Sequence, residues 1–234
     1  MTAELKEMLI GWAHEYNDPK YFQEDPIAFP RIFAQKHAVG EASLADVEIS
    51  AVLSAHLAWG RRAMIVRDCG RMFDEMEWKP YEYVMCGDYR NEDASLHRTV
   101  KWSEFAGICS RLRQIYSVRN SLEGLTDTDF RVSVYGQKED RKAPNKKISM
   151  MRRWMVRDDG KVDLGLWKDS DKKKLILPLD VHVYDQATAL GLTSRRQKDI
   201  VTAHEITDTF REIFPDDPCL GDFALFGYGV TNNK

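Results

Sequence analysis

Apolar residues recur at helical spacing through most of this chain, and strand-like alternation is nearly absent. Leu5, Met8, Leu9, Trp12 and Ala13 predict a helix over residues 3–16, closed by Asn17-Asp18-Pro19. Ile27, Phe29, Ile32 and Phe33 predict a short second helix after Asp25-Pro26, with Pro30 in its first turn. Ser43 is placed to cap a third, in which Val47, Ile49, Val52, Leu53, Leu57 and Trp59 make nearly every side apolar, as in a helix central to its lobe. Gly60 breaks it, and Ile65, Val66, Cys69, Met72, Phe73 and Met76 build another, with Arg61, Arg62, Arg67 and Arg71 on its remaining faces. A short element at 81–85, a polar loop at 86–97 and a helix carrying Trp102, Phe105, Ile108, Cys109, Leu112, Ile115 and Tyr116 follow. Further along, helical segments are predicted around 130–135 and 145–156, then an irregular connection at 158–174. Asp180 opens a helix that Gly191 stops, and two more cover 194–214 and 218–228, the last capped by Asp216 or Asp217. The fold class is all-α.

Composition narrows the setting. With 234 residues and 43% hydrophobic content the chain can bury one substantial core or two small lobes, which excludes global disorder. A formal net charge of -3 excludes a molecule that binds polyanions over its whole surface, so any such site is a local patch. Cys69, Cys86, Cys109 and Cys219 form no C-x-x-C pair, which argues against a zinc ribbon or iron–sulfur cluster and for a reducing compartment. The charged N-terminus and the lack of a long apolar run lead us to expect a soluble, cytoplasmic protein without a membrane segment.

Four groups of residues could carry chemistry. Asp180 follows the apolar Leu177-Pro178-Leu179 at a helix start, where exposed amides and the macrodipole keep a carboxylate ionised and aimed; a cap worth about 1 kcal/mol is the plainer role. Lys146 and Lys147 open the 145–156 helix, where the dipole disfavours an ammonium, with Lys142, Arg152 and Arg153 nearby. The basic residues between 138 and 161, like Arg61 and Arg62 with Arg67 and Arg71, form either a phosphate-contacting face or a solvated charged one. Phe223, Phe226 and Tyr228 are spaced either to stack on a base or to pack a core. His182, His204 and Glu205 do not make a metal ligand set, and no cofactor is expected.

A resemblance adds to this reading. The segment Leu177-Pro178-Leu179-Asp180-Val181-His182-Val183, running on to Leu190-Gly191-Leu192, resembles the P-V-D-x-H-V…R-L-G-L segment of the helix-hairpin-helix DNA glycosylases. Ile49-Ser50-Ala51-Val52-Leu53-Ser54-Ala55-His56 is similar to the I-A-x-x-L-S-x-Q segment of endonuclease III relatives. Through Asp25-Pro26-Ile27-Ala28-Phe29-Pro30, Ala58-Trp59-Gly60-Arg61-Arg62, Arg153-Trp154-Met155-Val156-Arg157 and Asp217-Pro218…Asp222-Phe223-Ala224-Leu225, the chain as a whole resembles an uncharacterised bacterial family of unknown function. The glycosylase resemblance implies a two-lobed helical fold with a central cleft, a middle lobe of about 44–156 and a second lobe of 1–43 with 157–234. It also implies Asp180 as catalytic carboxylate, Lys146 (or Lys147) as the lysine that forms a Schiff base, and His56 entering the duplex.

The chain departs from that pattern in three places. Arg141-Lys142-Ala143-Pro144-Asn145 lacks the glycines of the L-P-G-V-G hairpin, the lysine-to-aspartate separation is long, with 158–174 as the insertion, and the four-cysteine cluster is absent. The expectation is a glycosylase that removes an oxidised base from double-stranded DNA with AP-lyase activity, needing no obligate protein partner. The alternatives are an inactive nucleic-acid-binding or scaffolding relative of the same fold, and a helical hydrolase using Asp180 and His182.

Overall fold

The computed structural model of the chain describes residues 1–232. Its contacts divide it into two units, residues 22–139 and a unit made of both chain ends, 1–21 with 140–234.

In the 22–139 unit, α2 (Ala28–Ala38), α4 (Arg62–Glu75) and α5 (Pro80–Cys86) all touch α3 (Leu44–Leu57), which is buried from Val47 to Leu57. Ser43 and Asp46 start α3 with a reciprocal capping box: the Ser43 hydroxyl accepts from the Asp46 amide at 3.2 Å, and the Asp46 carboxylate accepts from the Ser43 amide at 2.8 Å. Burial all round leaves one carboxylate inside, Glu48, which accepts from the Tyr116 hydroxyl (2.8 Å), the Ser121 hydroxyl (2.5 Å) and the Leu122 amide (3.0 Å). Those donors are what let a buried acid persist. After α6 (Trp102–Tyr116), a single turn α7 (Asp127–Asp129) runs into a π-helical turn over Phe130–Val134. The segment expected to be loop throughout ends in a small antiparallel hairpin, β1 (Ser95–His97) with β2 (Val100–Lys101).

The unit of chain ends contains α1 (Ala3–Tyr16), α8 (Lys146–Val156), α9 (Val181–Ala189), α10 (Ile200–Ile213) and α11 (Leu220–Asn232). Leu9, Ala13, Leu177, Leu179, Ala187, Ala203, Ile206, Phe210, Ala224 and Leu225 form its core. Close approach is written into α11: a Cβ at Gly221 would strike the Phe210 ring, and one at Gly227 would strike Tyr16. The helix expected over 194–214 begins only at Ile200, because Asp199 is extended and its carboxylate accepts from the Thr202 amide at 3.0 Å. Likewise α11 starts at Leu220, two residues late.

The boundary between units corrects the expected one. The 145–156 helix was assigned to the middle lobe; α8 instead belongs with the chain ends, in the same unit as Asp180. Any chemistry shared by Lys146 and Asp180 is therefore internal to one unit.

Candidate active site

Two helix N-termini bring the candidate pair together. Leu177 and Leu179 are buried, and the Leu177 amide donates to the Thr207 hydroxyl at 3.1 Å, so the chain arrives at Asp180 already anchored. Asp180 Oδ1 accepts from the Val183 amide at 2.9 Å and caps α9, which turns Oδ2 outward. Lys146 is the first residue of α8, and its Nζ lies 3.5 Å from Asp180 Oδ2. Both side chains are about a third exposed (30% and 31%), so a ligand can reach them. The turn into α8 has no glycine; Asn145 takes the left-handed conformation (φ 49°) that asparagine tolerates better than most residues. Lys147, the second candidate, is the next residue of α8 and is partly buried.

Down α8 from Lys146, at positions seven and eleven residues on, come Arg153 and Arg157, on the same helical face. They were expected among residues on a phosphate-contacting face, and the structure corrects this for both. Arg157 is fully buried: its Nε donates to Asp217 Oδ1 at 2.9 Å, its Nη2 to Asp217 Oδ2 at 2.8 Å and to Asp159 Oδ2 at 2.9 Å, and its Nη1 to Asp163. Arg153 donates from Nε to Asp163 Oδ1 at 3.3 Å and from Nη1 to Asp222. One helical face thus runs from a half-exposed lysine to a sealed arginine, each cation met by aspartate.

Electrostatics vary along that face. Burial pushes the Asp222 carboxyl above its ordinary range; Arg153 pulls it down, while the negative charges of Asp180 and Asp163 push it up again. Burial likewise raises Asp163, against the pull of Arg153 and Arg157. Burial alone would raise Asp159 too, but the Arg157 charge and the Asn17 hydrogen bond hold it below the usual value. Burial would lower the Arg157 guanidinium; its bonds to Asp217 and the charge of Asp163 outweigh this and raise it.

Sequence reasoning took 158–174 for an irregular insertion. It folds back on α8, with the Leu164 amide on the Trp154 carbonyl at 2.7 Å and the Trp167 amide on the Met155 carbonyl at 2.8 Å, which satisfies two carbonyls of the last turn of α8. This delivers Asp159 and Asp163 to the arginines. Gly165 (φ 61°) is required there, since a Cβ would meet the Asp158 Cα at 2.5 Å.

The remaining candidates scatter. Phe223 is fully buried with Arg153 4.7 Å and Arg157 5.0 Å from its ring centre, so its ring faces are used inside the unit and cannot stack on an extruded base. Phe226 packs against Tyr16 (5.7 Å) and Tyr228 against Trp12 (5.4 Å), both on α1. His56 is buried in the other unit, its Nε2 3.0 Å from Glu104 Oε1 and its ring stacked on Tyr135 at 5.1 Å. It is not placed to enter a duplex. Arg61 and Arg62 stand exposed at the start of α4, Arg62 with Asp25 at 3.7 Å. Lys142 is exposed, with its carbonyl accepting from the Ile200 amide at 3.0 Å, and Arg152 is half-buried. His182 and His204 are exposed. No helix among the described residues is long and apolar enough to cross a membrane.

The fold and this pair define a helical protein with a lysine and an aspartate at adjoining helix starts. The sequence profile of a family described as a protein of unknown function (DUF2400) matches residues 25–134 and 128–231, and the chain belongs to that family. No curated protein and no solved structure matches it.

Proposed function

We propose that the protein is a DNA glycosylase with associated AP-lyase activity, acting on an oxidised base in double-stranded DNA through Lys146 and Asp180. The observation that carries this reading is the 3.5 Å approach of Lys146 Nζ to Asp180 Oδ2, with the carboxylate fixed by its own helix cap. Asp180 is positioned to take a proton from the Lys146 ammonium, freeing the nitrogen lone pair. Nζ then bonds to C1′ of the extruded nucleotide, and the bond from C1′ to the base breaks, the base leaving with the electron pair. Opening of the sugar ring gives the iminium, loss of a C2′ proton expels the 3′ phosphate, and water releases the lysine.

Duplexes carrying 8-oxoguanine, uracil or an abasic site, assayed for base release and strand nicking, test the proposal. Nicking of at least one of them that vanishes in Lys146→Ala supports it; neither release nor nicking on any of them removes it. A second reading has a specific observation in its favour: as an ion pair, Lys146 and Asp180 also tie α8 to α9. In that reading the chain is a nucleic-acid-binding relative without chemistry, and Lys146→Ala changes stability alone.

A further inference from the structure

The loop between α3 and α4 carries an exposed indole that the rest of the 22–139 unit goes to some length to hold. Trp59 is 38% exposed. Its carbonyl lies 2.9 Å from His97 Nε2, and the other nitrogen of that buried ring lies 2.7 Å from Asp68 Oδ2. The same imidazole meets the indole edge-on at 5.6 Å. At the tip of the β1–β2 hairpin, Arg98 adopts a left-handed backbone (φ 53°), a conformation an arginine adopts only where its surroundings hold it there. That backbone sets its guanidinium over the indole, 4.5 Å from the ring centre. Gly60 makes the room: a Cβ there would come within 2.6 Å of Arg98 Nη1. Glycine, tryptophan, histidine and the strained arginine all serve one outward-facing stack.

The charge beside it is mostly positive, with Arg62 paired to Asp25 at 3.7 Å. Residues 59–71 hold four arginines and one aspartate, Asp68, which is buried and bonded to His97, Arg67 and Arg71. Arg61 and Arg62 sit at the start of α4, where the helix dipole disfavours cations, so helix stability does not explain them. Planar stacking layers beside arginines match a nucleic acid strand, whose bases stack on indole and guanidinium planes and whose phosphates attract arginine.

We infer that Trp59 and Arg98 form a stacking platform for an unpaired base of a nucleic acid strand, with Arg61 holding the neighbouring phosphate. This site lies outside the Lys146–Asp180 pair and does not need its chemistry. The test is equilibrium binding of the full chain, by fluorescence anisotropy, to a dye-labelled fully paired DNA duplex, the same duplex with one unpaired nucleotide, and a single strand. Wild type is expected to prefer the two substrates with unpaired bases. Trp59→Ala and Arg98→Ala should each weaken binding to those by about tenfold, the loss of one stacked base, and bring them level with the paired duplex.

Trp59→Phe is expected to keep most of the affinity, and Arg98→Lys, which keeps the charge and lacks the plane, to behave as Arg98→Ala does. Those two conservative variants decide the matter if an alanine variant fails to fold. Arg61→Ala should lower all three affinities and reduce the salt slope by about one. The inference is overturned if wild type binds none of the three, if it shows no preference for unpaired bases, or if Arg98→Lys matches wild type on all of them. Trp59-dependent binding without nicking or base release would remove the glycosylase reading and leave this one; activity with Trp59-independent binding would do the reverse.

Discussion

Asp180 has two separable jobs at the scale of one residue, since Oδ1 caps α9 and Oδ2 faces Lys146. Asparagine retains the cap and loses the charge, whereas alanine loses both. We expect Asp180→Asn to unfold within about 0.5 kcal/mol of wild type and Asp180→Ala to lose about 1 kcal/mol, read by urea denaturation. Equal losses would mean that the carboxylate charge, not the cap, is what stabilises α9. At Arg157 the stakes are larger, because removing it takes the guanidinium from buried Asp217 and leaves buried Asp163 with Arg153 alone of its two arginines. Arg157→Leu is expected to cost about 3–5 kcal/mol, and a loss below about 1 kcal/mol would show that the network contributes little.

The network also responds to pH in a direction that can be worked out. The Asp222 carboxyl is raised in the native state, so the stability it contributes is complete below the ordinary carboxylate range and falls as pH rises through the native value. Asp159 is lowered, and behaves oppositely: its contribution is present above that range and fades as pH falls through the native value. Asp222→Asn mimics the protonated acid at every pH, so the stability of wild type relative to this variant should decline from pH 4 to pH 7 in denaturant titrations. A constant difference would contradict the assignment. Asp180 and Lys146 were legible in the sequence because each opens a helix, a position that can be read locally. The burial of Arg153 and Arg157 was not, since their partners Asp163, Asp217 and Asp222 lie elsewhere in the chain and a charged helix face has the same pattern whether solvated or sealed.

Among the elements, the helices with a cap at one end and a steady apolar period were legible nearly to the residue, as α1, α3 and α9 show. Errors fell where tertiary pairing decides the local structure. The β1–β2 hairpin is too short to display alternation, and α10 starts late because Asp199 takes over as cap. Loop 158–174 has no period at all, yet Val162, Asp163 and Trp167 are buried in it. Gly165 tests the importance of that loop. Gly165→Ala puts a Cβ into Asp158 at positive φ, and we expect a loss of about 1–3 kcal/mol together with earlier proteolysis in 158–174. Unchanged stability would mean that the loop is not coupled to α8.

For the whole molecule, a net charge of -3 hides an uneven distribution. The cations of α8 are partly consumed by buried aspartates, and the exposed cations include Lys142 near its start and Arg61 and Arg98 in the other unit. Affinity for DNA should therefore be modest and fall steeply between 50 and 200 mM salt, and salt-independent binding would contradict an electrostatic contact. The two expected lobes came from the resemblance and not from the hydrophobic pattern, and no local feature showed that α8 joins the chain ends; the Arg153 and Arg157 partners on the 158–174 loop and at Asp217 and Asp222 decide that.

The central claim is that Lys146 is a nucleophile poised by Asp180. Borohydride reduction during incubation with an 8-oxoguanine or abasic duplex tests it most directly, because the iminium becomes a permanent cross-link visible on a denaturing gel. The account predicts a cross-linked band for wild type, none for Lys146→Ala, a band at least tenfold weaker for Asp180→Asn, and a wild-type band for Lys147→Ala. A band of wild-type intensity in Lys146→Ala, or no band with any protein on either duplex, would contradict it.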